Sequence, residues 1–440
     1  MKFVSTRRLS SSERAPSVGF GAALAQGLAP DGGLYMPQEW PSIPLAAFDG
    51  VESLPEVAEV MLRPFVEGDA IAGQIGAIVR EAFDFPAPLV PVANDGRLSV
   101  LELFHGPTAA FKDFGARFLA ASLAKIRGGA GGGAKPLNIL VATSGDTGGA
   151  VAAAFHRRPG IVVSVLFPKG LVSPTQERQL TCWGENVRSY RVSGSFDDCQ
   201  RLVKEAFVDA KLKQRFELSS ANSINLGRLL PQAVYYAATS LAVWRAHGVA
   251  PNFLIPSGNL GNSVACVWAR KLGLPIGRIV LAHNSNRAVP DFLRSGDWQP
   301  RASIPTLASA MDVGAPSNME RLRALFPDLE AVRGAVRAVS VDDAEIRARI
   351  VTDFRNYGKT WCPHTATAAE VYARLPESER SAARWVLVST AHPAKFAEIV
   401  EPLTGQRIEM PESLAKLLSR PVSCEDLQPT LTALTVALEK

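Results

Sequence analysis

The chain has 440 residues, a hydrophobic share of 47% and a formal charge of only +5. That length points to two to three domains with ample cores, and the scattered, slightly basic balance offers no Lys/Arg run for nucleic acid while suiting small anions. Five cysteines with no CxxC spacing and six histidines with no HExxH argue against a disulfide framework or a zinc site and for a reducing, cytoplasmic setting.

No uninterrupted apolar run reaches membrane-spanning length. The start, basic and serine-rich through Ser12, is compatible with a transit peptide. It lacks the apolar core of a secretory signal, and folded-domain patterning begins almost at once.

Residues 1–85 read as a small, mostly helical domain, with helical patterns over Phe20–Leu28, Pro55–Arg63 and Ile71–Phe83. The turn cluster Pro30-Asp31-Gly32-Gly33 stops the first of these. Repeated prolines from Pro86 to Pro91 mark a boundary, because proline cannot continue a helix. Leu98–Phe104 then reads as a strand, and Phe114–Ile126 as a helix. Between them lies Phe-His-Gly-Pro-Thr-Ala-Ala-Phe-Lys-Asp-Phe-Gly, from Phe104 to Gly115. Lys112 sits there between Phe111 and Phe114, at a strand-to-helix connection where α/β folds place ligand sites. Loss of solvation lowers a lysine's pKa and frees its amine for Schiff-base chemistry. Read alone, the same pattern also fits a snorkelling lysine packed on phenylalanines.

Gly128–Gly133 is glycine-rich, but it lacks GxxxxGK[ST] and precedes a strand, so it reads as a surface loop and not as a P-loop. Leu137–Thr143 reads as a strand, Ser144-Gly-Asp-Thr-Gly-Gly149 as a turn and Ala150–His156 as a helix. Such a unit offers N–H groups and hydroxyls to an anion, or simply caps a helix. The alternation continues with strands over Ile161–Phe167 and Asn186–Val192 and helices over Ser173–Trp183 and Ser195–Phe207. It implies a parallel sheet covered on both faces.

Ser220–Arg228 is polar and opens a long helix to about His247. Asn222, Ser223, Asn225 and Arg228 can converge on an anion there, or serve as capping plus a surface arginine. After a strand over Asn252–Pro256, Ser257-Gly-Asn-Leu-Gly-Asn262 forms a second glycine-rich turn before a helix over Ser263–Leu272. It suits one phosphate held by backbone amides. Arg278–His283 is a strand, and 317–357 reads as mainly helical with no role that the residues assign. A strand over Ala383–Thr390 leads into Ser-Thr-Ala-His-Pro-Ala-Lys-Phe396, and the tail after Leu403 reads as helical.

The ordered set FHGPTAAFKDFG, TSGDTGG, NSINLGRLL, PSGNLGN and STAHPAKF, with the Gly27–Tyr35 stretch, closely resembles the threonine synthase family, in particular its longer microbial and fungal branch. The resemblance runs along nearly the whole chain. It implies an α/β, tryptophan-synthase-β-like fold (fold type II) of pyridoxal-phosphate (PLP) enzymes, with parallel sheets flanked by helices. The expected division is an N-terminal domain over 1–85, a catalytic region over 86–403 whose smaller subdomain spans about 115–220, and a helical tail over 404–440.

Carried over residue by residue, the resemblance makes Lys112 the Schiff-base lysine. It makes Gly258, Asn259, Leu260, Gly261 and Asn262 the cradle of the cofactor phosphate, and Thr390 the partner of the pyridine nitrogen. Ser144, Asp146 and Thr147 match the loop near the substrate carboxylate and the cofactor's O3′ side, and Ser223 and Arg228 match positions for the substrate phosphate. Leu260 stands where relatives carry Phe, and Asn262 where some carry Asp. The implied reaction takes O-phospho-L-homoserine and water to L-threonine and phosphate, in a monomer or homodimer that binds neither nucleic acid nor membrane. Rival readings are a serine/threonine dehydratase or phospho-amino-acid lyase of the same fold, and a non-catalytic PLP-binding protein.

Overall fold

In the computed structural model, which describes residues 1–8, 16–92, 96–128 and 135–440, the strands follow one another as β1 (Phe3–Ser5), β2 (Tyr35–Pro37), β3 (Leu89–Pro91), β4 (Leu98–Glu102), β5 (Leu137–Ala142), β6 (Ile161–Pro168), β7 (Val187–Val192), β8 (Glu217–Ser220), β9 (Asn252–Pro256), β10 (Ile279–His283), β11 (Arg337–Ser340), β12 (Trp385–Ser389) and β13 (Glu425–Leu427). β1 and β2 form a small antiparallel pair. The rest divide into a six-stranded sheet in the order β11-β10-β9-β12-β4-β3 and a five-stranded sheet in the order β13-β7-β6-β5-β8. Every pairing in these two sheets is parallel except β3 with β4. Strands covered on both faces need continuous apolar runs, and β9, β10 and β12 are buried at every residue.

The strand order positions the site. In the large sheet β9, β12 and β4 are neighbours, with Leu387 in register with both Leu254 and Val100. Their C-terminal ends therefore bring the 257–262 turn, Thr390 and the Lys112 segment side by side. In the small sheet β5 and β8 are neighbours, so the 143–149 turn and the 221–228 segment face them together. This is the crevice outside the strand C-termini where parallel sheets bind ligands.

The N-terminal helices Phe20–Gln26, Leu54–Val66 and Ile75–Ala82 share one apolar core with the body of the protein. Ser53 and Glu56 close a capping box at the second of these, each satisfying an N–H that the helix start leaves open. Phe20 meets Phe118 edge-on at 6.4 Å. The Gly128–Gly133 loop, beyond Gly128 itself, lies outside the described residues.

Several expectations are corrected. The helix after Thr143 starts at Asp146, so Asp146 and Thr147 form its first turn. The helix expected up to His247 is broken into Leu226–Leu229, a 3-10 turn Leu230–Gln232 and Ala233–His247, because Pro231 can neither donate an N–H nor let the preceding turn stay regular. The 317–357 segment carries the edge strand β11 between its helices. The tail is not purely helical either, since β13 pairs with β7 and closes the small sheet. β8, β11 and β13 have three or four residues and no sustained apolar alternation, so periodicity cannot reveal them.

Candidate active site

Lys112 is the first residue of the helix Lys112–Gly128. The loop before it is stitched to the end of β12: Leu103 N–H donates to Ser389 O at 3.0 Å and Phe111 N–H to Thr390 O at 2.9 Å. The helix can lie this close to the opposite wall because residue 115 is glycine. A Cβ there would stand 2.4 Å from Arg228 O. Lys112 Nζ lies 5.8 Å from the centre of the Phe111 ring, while Phe114 packs into the core on Phe85 at 4.4 Å. Burial pushes the Lys112 amine down to about 8; Asp146 opposes this, and Lys395 and Arg228 add to it.

The turn after β9 is built as an anion cradle. Leu260 adopts φ +61° and caps the helix Gly261–Lys271. This left-handed conformation costs a non-glycine residue roughly 1–2 kcal/mol, and it turns successive N–H groups inward. Gly258 is required by space, since a Cβ would stand 2.7 Å from Met311 Cα. Tyr235 and Tyr236, both buried, donate their hydroxyls to Asn262 Oδ1 at 2.5 and 2.8 Å. With its oxygen so engaged, Asn262, which lines the cleft, keeps a buried NH2 that has no acceptor among the described residues.

On the opposite wall, Thr143 Oγ1 accepts the N–H groups of Gly145 and Gly148 at 3.0 and 2.9 Å and shapes the turn. Gly145 has φ +137°, and a Cβ there would meet Gln176 at 2.5 Å. Asp146 accepts from Gln176 Nε2 at 3.1 Å and is ion-paired at 2.7 Å with Lys395 Nζ, which is fully buried and also donates to Thr108 O at 2.9 Å. Burial raises the Asp146 carboxyl, but Lys395 and Lys112 overcome it and hold the group well below the usual carboxylate range.

Ser223 Oγ accepts NH2 protons from Asn259 at 2.8 Å and Asn318 at 3.1 Å. Both lone pairs are thereby used, so its O–H is left to donate outward. Buried Arg228 donates Nη1 to Ala221 O, while its Nε has no acceptor among the described residues. Burial lowers its guanidinium to about 10, with Asp113 opposing, so it stays charged at neutral pH.

All twelve expected residues line a single cleft of about 950 Å³, counting space open to solvent. Sequence reasoning missed Lys395, His364, the two tyrosines, and the buried pair Asn318 and Arg321. Arg321 donates to Tyr35 O, Ser223 O, Ile224 O and Asn318 Oδ1, tying the β2 strand of the N-terminal region to the Ser223 wall of the cleft. Lys395 was visible as a charge inside STAHPAKF. Arg321 lies in a segment with no motif.

The donor set fits a phosphorylated carbonyl cofactor. A backbone cradle, an orphaned amide at its rim, and an amine of lowered pKa stand in one cleft. Fold and site together define a PLP-dependent enzyme of fold type II. Three family models match along the chain: threonine synthase N terminus over 2–83, pyridoxal-phosphate dependent enzyme over 83–391, and threonine synthase C-terminal over 365–436. Threonine synthase of Escherichia coli K12 is 40% identical over 423 residues, covering 95% of each chain. That of Haemophilus influenzae is 39% identical over 431 residues, covering 96% of this chain and 97% of its own. The PLP-bound crystal structure of threonine synthase from Brucella melitensis aligns with a TM-score of 0.89 at 35% identity, covering 100% of this chain and 98% of its own. The chain belongs to the threonine synthase family.

Proposed function

We propose that this cleft converts O-phospho-L-homoserine and water to L-threonine and phosphate. The observation that carries this reading is a second anion site beside the cofactor cradle. Ser223, whose Oγ accepts from Asn259 of the cradle at 2.8 Å and from Asn318 at 3.1 Å, keeps its O–H to donate, and Arg228 keeps a buried Nε with no acceptor among the described residues. A dehydratase acting on free serine or threonine needs only one phosphate site.

Lys112 would hold PLP covalently, the 258–262 backbone and the Asn262 amide would hold its phosphate, and Thr390 would meet its ring nitrogen. When bound, PLP supplies the electron sink for carbanion chemistry at the substrate's side-chain carbons. The chain's own groups then divide the remaining work. The freed Lys112 amine, lowered to about 8, is suited to take the proton from Cα and return one later, since a general base works best near the operating pH. Ser223 O–H and Arg228 hold the departing phosphate, using charge-assisted hydrogen bonds in a water-poor wall. Ser144 and Thr147 hold the substrate carboxylate at the start of the helix Asp146–Phe155, where the dipole favours an anion. A neutral hydroxyl at Thr390 encourages protonation of the ring nitrogen less than a carboxylate would.

Among the described residues no helix is long and apolar enough to cross a membrane. The five cysteines are all free, which suits the cytoplasm.

The test is to add O-phospho-L-homoserine to the purified protein and to assay threonine, phosphate and oxo acids together. Equal release of threonine and phosphate is expected. Phosphate with an oxo acid in place of threonine would move the protein to a different lyase.

A further inference from the structure

Three buried donors around the cleft lack an acceptor among the described residues: Arg228 Nε, Asn262 Nδ2 and His364 Nδ1. The first two belong to groups already placed against phosphates. His364 has no such assignment. It is only 2% exposed, in the first turn of the helix Pro363–Ala373, and its ring packs on Phe396 at 4.8 Å. Its Nε2 accepts the backbone N–H of Ala310 at 3.1 Å. A ring nitrogen that accepts from an amide carries no proton, so the proton of the neutral ring is on Nδ1. Burial pushes the imidazole down to about 4; Asp146 opposes this, and Lys112 and Lys395 add to it. The ring therefore stays a neutral, one-tautomer donor across neutral pH. A buried N–H with no acceptor is costly, and this one belongs to a residue lining a cleft that must receive anions.

We propose that His364 is a further ligand-binding residue of this site, whose Nδ1–H donates to an anionic oxygen at the Lys112–Asp146 end of the cleft. That oxygen belongs to the substrate carboxylate or to the ring of the cofactor. The inference rests on the reading of the cleft given above. The same imidazole anchors Ala310, and its neighbour Met311 backs Gly258 of the cradle. One side chain thus braces the cofactor turn and serves the substrate end.

The experiment compares His364→Leu, which removes donor and acceptor, with His364→Gln, which can supply both. In the PLP-loaded enzyme His364→Leu should keep the visible cofactor band and lose about ten- to a hundredfold in kcat/KM, as expected for a hydrogen bond to a charged group. His364→Gln should recover most of that loss, with a pH profile of wild-type shape. An unchanged His364→Leu, or a His364→Gln as impaired as Leu, would overturn the proposal. If neither variant folds, ¹⁵N-histidine spectra of the wild-type enzyme decide. They should show an Nδ1-protonated neutral ring whose N–H resonance moves when the site fills. Movement on PLP loading alone assigns the ring oxygen, and movement only on adding L-threonine assigns the carboxylate. An Nε2-protonated ring, or no movement in either case, would refute it. Failure of the wild-type enzyme to make threonine would instead remove the functional reading, and the spectra would remain a separate result.

Discussion

Two turns of similar composition open helices onto one cleft: Ser144-Gly-Asp-Thr-Gly-Gly149 after β5, and Ser257-Gly-Asn-Leu-Gly-Asn262 after β9. The second is a self-contained anion cradle, with no formal charge and an inward-turned backbone. The first places a carboxylate in its helix start, which the dipole favours but an anionic ligand does not. Lys395, sent from beyond β12, cancels that charge at 2.7 Å. A strand–turn–helix pattern therefore states where an anion can sit. The buried partners decide whether it is welcome.

Lys112 stands between the two turns, and its loss should break both halves at once. Lys112→Ala should abolish the borohydride-sensitive visible band and turnover; normal turnover would strip Lys112 of its assigned role. Since the neutral amine is the reactive form and burial lowers its pKa from 10.5 to about 8, the rate of PLP loading should climb with pH and level off above about 8. An ordinary lysine would continue to about 10.5.

Lys395→Met tests the turn that depends on its partner. It leaves Asp146 buried and unpaired, at a cost of about 3–5 kcal/mol in denaturant unfolding. Adding Asp146→Asn should restore much of this. Because the folded protein holds the Asp146 carboxyl below its ordinary 3.8, the pair's stabilisation is present above that pH and lost as pH falls through the lowered value. A single variant as stable as the wild type would show that the pair contributes nothing.

The turn glycines sharpen the contrast. Gly258→Ala drives a methyl into Met311 backbone, 2.7 Å away. An overpacking cost of about 1–3 kcal/mol should appear as weaker PLP binding, read by equilibrium titration. Gly145→Ala should instead raise KM with PLP affinity little changed. The opposite pattern would exchange the roles of the two turns.

Arg228→Ala should raise KM for the phosphorylated substrate by about ten- to a hundredfold, the scale of a charged hydrogen bond, and weaken PLP binding less. Collapse of cofactor affinity with substrate binding intact would mean that the two anion sites are exchanged. The smallest effect belongs to Tyr235→Phe with Tyr236→Phe. Freeing the Asn262 amide should lower PLP affinity several-fold, since a neutral hydrogen bond contributes about 0.5–1.5 kcal/mol. Retained affinity would mean that the amide holds its orientation unaided.

Much of the site was legible because strand–turn–helix units announce themselves locally. Glycines, hydroxyl residues and an apolar run fall within a dozen positions, and the five motifs place Lys112, both turns, Ser223, Arg228 and Thr390 on one scaffold. The sequence places Asp146 in a polar turn, and the resemblance puts it near the substrate carboxylate and the cofactor's O3′ side, but its pairing with buried Lys395 at 2.7 Å is invisible in the sequence. Ser223 could be named as an anion ligand, but which way its hydroxyl donates depends on Asn259 and Asn318. His364 lies outside every motif. Arg321 lies in 317–357, a segment whose composition announced only helices.

The amino-acid order by itself showed the main apolar strands, most of the helices to within a few residues, the two glycine-rich turns and the family resemblance, because each is a pattern of residues near in the chain. The tertiary structure alone decided the sheet order β9-β12-β4 opposite β5-β8, the neutralisation of Asp146, the tautomer of His364 and the direction of the Asn262 amide. These depend on partners far apart in sequence that meet only when the chain is folded. In a dry interior, a charge or a donor takes its value from those partners and not from its neighbours along the chain.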